Sequence, residues 1–188
     1  MPSIKWVSPL RYDDMAEYRD EGFLQRLGVS ERIGSPLSEF WPSRGPQWDA
    51  LARTEDDRVL LVEAKANIPE IISGGTKATE PSLSLIQSSL QETMEYLHVS
   101  GKLDWSETFY QYANRLAHLY YLRVKNEIPA YLINVYFIGD RSVDGPQTVE
   151  EWKGAIQVMK ALLGVGKRHK LSPYMADVFI SSDEIEIP

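Results

Sequence analysis

The clearest pattern of apolar and polar positions lies between Gly45 and Asn67, GPQWDALARTEDDRVLLVEAKAN. Two short apolar runs, Trp48 to Ala52 and Val59 to Val62, flank a charged segment rich in turn formers. This pattern predicts a β-hairpin. Upstream, Leu10, Met15, Tyr18, Leu24 and Leu27 recur at roughly helical spacing before Gly28, which predicts a helix over 10–27. Residues 28–46 hold Gly, Ser and Pro at short intervals and leave room only for one helical turn or a short strand at 37–41. Downstream, Pro69, the pair Gly74-Gly75 and several polar residues mark 68–80 as a loop running off the second hairpin strand, well placed to border a site.

Pro81 suits the first turn of a helix whose apolar stripe is Leu83, Ile86, Leu90, Met94 and Leu97. Asp104 with Glu107 fits a capping arrangement, after which Phe109, Tyr112, Ala113, Leu116, Leu119 and Tyr120 line a second helix reaching about Asn126. The run AYLINVYFIG after Pro129 has one Asn among β-branched and aromatic residues, and predicts a central strand covered on both faces. Thr148 and Glu151 repeat the capping pattern before a helix with Trp152, Ile156, Met159, Leu162 and Leu163 inward, closed by Gly164. Residues 175–180 read as a last strand, and the tail SSDEIEIP as a short edge strand or a frayed end. Together these elements predict an α/β (α+β) fold, a central mixed β-sheet flanked by helices.

Length and composition narrow the functional classes. The 188 residues suit one domain over 1–188, with 43% hydrophobic and 25% charged residues, as in ordinary globular proteins. No apolar run is long enough to span a bilayer and the first residues lack the apolar core of a signal peptide, so the expectation is a soluble, cytoplasmic protein. The absence of cysteine excludes disulfides, thiolate metal sites and a cysteine nucleophile. A net charge of −7 argues against coating nucleic acid non-specifically, which needs many phosphates neutralised. It does not argue against a nuclease, whose acidic site is neutralised by metal.

The hairpin carries the candidate chemistry. If the chain reverses at Asp56, Asp49 and Glu63 are equidistant from the turn, stand opposite one another and point to one face. The strand period of two adds Lys65 to that face and sends Leu60, Val62 and Ala64 to the other. Facing carboxylates repel, and a divalent cation is the natural group to place between them. An Asp, thirteen intervening residues and then Glu63-Ala64-Lys65, with Pro46 three residues before the Asp, resembles the PD-(D/E)XK nuclease superfamily, the restriction-endonuclease-like fold. The resemblance covers residues 31–138 and implies a core of a helix, a three-stranded meander, a helix and a strand, of whose meander two strands are readable.

That resemblance implies a hydrolase cutting phosphodiesters of DNA, or of RNA, with Asp49, Glu63 and Lys65 catalytic. It implies Mg²⁺ or Mn²⁺ held by Asp49, Glu63 and the backbone carbonyl of Ala64, with Lys65 holding or deprotonating the attacking water. The helix after the motif strand often lends a polar residue to such sites, and Gln111 or Arg115 is placed to do so, within a patch with Asn114 and His118. A wetted helix surface is the plainer reading of that patch, with His118 a surface histidine. Lys167, Arg168 and Lys170 form, with His169, the one dense basic run and could contact a nucleic-acid backbone or simply favour a helix C-terminus. Glu17, Glu31 and Glu39 are further acids that could join the metal, and Trp41 and Trp48 are the aromatic residues nearest the motif. No separate DNA-reading segment is visible, so specificity would come from loops, a second copy or a protein partner. The rival reading is a non-catalytic nucleic-acid-binding or assembly module that retains the nuclease fold; a third is an unrelated α/β protein in which Asp49 and Glu63 never meet.

Overall fold

A computed structural model describes residues 3–99 and 103–184. The strands are β1 (Ile4–Ser8), β2 (Ala50–Thr54), β3 (Val59–Lys65), β4 (Ala130–Ile138) and β5 (Met175–Ser181), in one sheet of spatial order 1-2-3-4-5. Its first two ladders are antiparallel and the last two parallel. The helices are α1 (Asp20–Leu27), α2 (Leu37–Phe40), α3 (Ser82–Leu97), α4 (Tyr110–Tyr120) and α5 (Val149–Leu162). This is the mixed α/β architecture expected, with three departures that matter to the site.

β1 supplies a third antiparallel strand, pairing with β2 from Ile4↔Thr54 to Ser8↔Leu51 across a bulge. It precedes α1, whereas the implied family core puts the helix before its meander. α1 is also shorter than the periodicity predicts. Asp14 and Met15 adopt left-handed φ angles of 47° and 55°, which no α-helix contains, so the chain makes only a 3₁₀ turn at Arg11–Asp13 before α1 starts. Similarly, Asp104 does not start α4. Its carboxylate accepts from Ser106 N–H at 2.7 Å, closing a local turn, and Phe109 at φ 55° sets the direction in which α4 begins. α4 then runs on as a π-helical turn, Tyr121–Lys125, to the expected end. The 37–41 segment resolves to the helical turn α2.

α5 starts as its cap predicts: Thr148 Oγ1 accepts from Glu151 N–H at 3.2 Å, and Glu151 reaches back to Gln147 N–H at 2.6 Å. Its inward stripe is Trp152, Ile156 and Met159, while Leu162 is 48% exposed, a correction to the expected stripe. After β5, Ser182–Glu184 form a 3₁₀ turn rather than a further strand, and 185–188 lie outside the described residues.

The third departure concerns the sheet faces. Both parallel crossovers, β3 to β4 and β4 to β5, step the same way across the sheet, and right-handed crossovers then place their helices on one side. On that side Leu51, Leu61 and Leu132 form a row of fully buried side chains continuous with α1, α4 and α5. The opposite side carries Tyr131, Ile133, Val135 and Phe137 of β4, all half-buried and outside the core cluster. β4 is therefore central in order but covered on one face only, contrary to expectation. Beside it on that open side run Leu60, Val62 and Ala64 of β3, then Ala50, Ala52 and Thr54 of β2. The edges are completed by Ile4 and Trp6 of β1 and by Ala176, Val178 and Ile180 of β5. None of these strand residues is charged.

Candidate functional site

The hairpin register delivers the expected meeting. Ala50 pairs with Val62, so Asp49, one residue before β2, stands opposite Glu63. Asp49 Oδ2 accepts the backbone N–H of Ala64 at 2.6 Å, which pins the carboxylate to the exit of β3. Lys65, two residues beyond Glu63 on the same face, pairs through Nζ with Glu63 Oε1. The reading in which Asp49 and Glu63 never meet is thereby set aside. The parallel ladders extend this row across the sheet: Glu63 is level with Asn134, and Asn134 with Asp177. Asn134 Nδ2 donates to Asp177 Oδ1 at 2.9 Å, and Lys160 of α5 pairs with the other oxygen at 3.0 Å. A polar row thus crosses an otherwise apolar interface between sheet and helices.

Arg115 of α4 closes the site from above. Its Nε donates to Glu63 Oε2 at 2.6 Å, one terminal nitrogen donates to the Gln47 carbonyl at 2.8 Å, and the other to Asn114 Oδ1 at 2.9 Å. The guanidinium also lies 4.7 Å from the centre of the Trp48 ring. Glu63 and Arg115 are only 5% and 4% exposed, so this is a buried ion pair whose lone pairs and protons are well matched. Asp49 has no such cation of its own. Burial first, and then the neighbouring Glu63 carboxylate, hold its carboxyl above the usual carboxylate range, against the stabilising Ala64 N–H.

Next to Glu63 is a crevice of about 20 Å³, bordered by Lys65, Glu70, Gln111, Tyr112 and Tyr136 among others. That volume holds roughly one water or one small ion. The Tyr112 hydroxyl is buried and has no hydrogen-bond partner among the described residues. Glu70 is the acid that sequence reasoning missed. It sits in the 3₁₀ turn Ile68–Ile71 that leaves β3, and its carboxylate accepts from Ala66 N–H at 3.2 Å and Asn67 Nδ2 at 2.6 Å. The signal was present: Asn67 with Glu70 three residues on is a capping pair directly after the E-A-K triplet.

Other expectations change. Asn114, Arg115 and His118 are buried rather than a wetted helix face, because α4 lies between α3 and the sheet; only Gln111 is half-exposed. His118 is enclosed by Phe23, Phe40, Trp41 and Trp48, and its Nδ1–H donates to the Asn114 carbonyl at 2.8 Å. Burial pushes its pKa down to about 3, so it is a neutral core residue. Trp41 and Trp48 belong to that aromatic cage. Glu17, Glu31 and Glu39 are exposed, and among the described residues no three acids or histidines gather as a ready metal cluster. Lys167, Arg168 and Lys170 are exposed on the loop before β5, at the end of the parallel strands opposite Lys65, and the fold does not bring them to Glu63. Lys167 and His169, with Lys153 and Lys160, border a groove of about 730 Å³ between α5 and β5.

The donor set fits a hard divalent cation: two carboxylates, from Asp49 and Glu63, beside the Ala64 peptide, with Glu70 near the same crevice. Comparison with protein-family models, with curated proteins and with solved structures finds no match to this chain.

Proposed function

We propose that this protein is a metal-dependent nuclease resembling the PD-(D/E)XK superfamily, with a restriction-endonuclease-like core. The observation that carries the reading is the convergence of Asp49, Glu63 and Lys65 on one face where β3 ends. Asp49, Glu63 and the Ala64 carbonyl would hold Mg²⁺ or Mn²⁺, which when bound acidifies water and neutralises charge on the scissile phosphate. The protein's own groups do the rest. Arg115, with all its partners in place, fixes the rotamer of Glu63. Lys65 is the movable member, on a flexible stem with a single partner, and on leaving Glu63 Oε1 it orients the attacking water and offsets transition-state charge. Lys167, Arg168 and Lys170 supply charge for backbone contacts away from the cut.

The test is incubation of purified protein with single- and double-stranded DNA and RNA in Mg²⁺ or Mn²⁺. Cleavage is expected to disappear in Asp49→Ala, Glu63→Gln and Lys65→Ala. Activity that survives both Asp49→Ala and Lys65→Ala sinks the assignment.

One observation favours a second reading, a non-catalytic module of the same fold: both oxygens of Glu63 are already taken by cations of the chain. Calorimetry separates the two. The nuclease reading expects Mn²⁺ binding that is lost in Glu63→Gln, and the module reading expects none.

A further inference from the structure

The open side of the sheet is the largest surface the fold leaves without a partner, and its relief is uneven in a particular way. β2 presents Ala50 and Ala52, a shallow trough, whereas β4 presents Tyr131 and Ile133, a ridge at the same level. β3 lies between them. At the two edges Trp6 is 49% and Val178 38% exposed, so large apolar side chains face water from one edge to the other. Five strands about 4.8 Å apart, with a rise of about 3.3 Å per residue, give a flat footprint of roughly 500 Å². That matches the largest apolar patches tolerated on monomers, roughly 300–600 Å². Side-chain relief carries it toward the roughly 800 Å² per partner of a standard interface.

We infer that this face is a homodimer interface, two copies packing sheet to sheet about a twofold axis that runs along β3. The choice of occupant follows from chemistry and symmetry. The strand residues on this face include no charge, so the face offers no electrostatic complement to a charged partner and no repulsion to its own copy. Two identical faces can meet only through a twofold lying in the plane between them. An axis across the strands would stack each strand on its own copy, trough on trough and ridge on ridge. An axis along β3 instead sets the Ala50 and Ala52 trough of one copy against the Ile133 and Tyr131 ridge of the other, and the reverse on the far side. Aligned sheets packed about 10 Å apart at about −30° accommodate this arrangement. The candidate site, on the helix-covered face, stays outside the interface in both copies.

Analytical ultracentrifugation of the full chain at tens of micromolar tests the pairing. The expected result is a species of twice the 21.4 kDa chain mass, converted to monomer by Ile133→Lys. Circular dichroism and a melting curve identify any loss due to unfolding. The chain has no cysteine, so single-cysteine variants report the axis cleanly. Leu60→Cys, on β3, should cross-link to its own copy through a bismaleimide of about 10 Å, the spacing of packed sheets. Ile4→Cys, two strands from the axis, would lie roughly 20 Å from its copy and should not. A wild-type monomer, a dimer indifferent to Ile133→Lys, or cross-linking through Ile4→Cys in preference to Leu60→Cys each overturns the proposal.

Discussion

The two sides of this one sheet are built to opposite rules. Under the helices, a row of charged and polar groups, Asp49, Glu63, Asn134 and Asp177, is embedded in leucine and tryptophan, and most of its atoms are matched by a donor or acceptor. On the open side there is no charge at all, and the side chains are half-exposed. The contrast shows where free energy is concentrated. Buried polar groups cost heavily when one partner is removed, whereas half-exposed apolar groups in a monomer have little left to lose.

The sharpest way to break the comparison is Arg115→Ala. It leaves Glu63 buried with Lys65 alone, and a loss of about 3–5 kcal/mol is expected, read as a large drop in melting temperature. Arg115→Lys should recover little, since an ammonium cannot also reach Gln47 and Asn114 in a planar fork. Neighbouring residues of β4 give the next test. Leu132→Ala on the covered face should cost about 2–5 kcal/mol, and Ile133→Ala on the open face well under half of that in urea titrations at concentrations that keep the chain monomeric. Equal losses would mean that the open face is not open.

Acid should act through the covered side as well. The folded pKa of His118 lies near 3, below its unfolded value, so the unfolded chain takes up the proton first. The contribution of His118 is intact above about pH 6.5 and falls by up to about 1.4 kcal/mol per pH unit below that. Replacing it by Leu should flatten the pH dependence of unfolding between about pH 6.5 and 4. The smallest effect has the opposite sign. The raised pKa of Asp49 means that its charge destabilises the fold above the unfolded carboxylate pKa. Asp49→Asn should therefore stabilise at neutral pH by up to about 1 kcal/mol, a rise of about 2–4 °C in melting temperature, even as it removes any metal-dependent cleavage. The gain should vanish in acid, where Asp49 is protonated.

The sequence was most legible where the argument was local and periodic. The reversal at Asp56 and a period of two were enough to bring Asp49 opposite Glu63, and the Thr148–Glu151 pair located the start of α5. It was least legible where burial came from distant packing. Nothing in Gln111, Asn114, Arg115 and His118 distinguishes a wetted stripe from a buried one; that depends on α3 and the sheet closing on α4 from two sides. The strand β1 is only five residues, with Lys5 and Ser8 interrupting its apolar positions, too weak a pattern to stand out before Pro9. The uniformly apolar run of β4 reads as a strand buried on both faces, because the residues alone do not reveal that successive crossovers keep to one side.

The four contacts of Arg115 join parts of the chain that are synthesised far apart: the approach to β2, the exit of β3 and the middle of α4. A growing polypeptide that has emerged only through the hairpin carries its two facing carboxylates without the guanidinium that steadies them. Any cutting function that depends on this arrangement is therefore withheld from incomplete chains, and arrives only when the later helix docks.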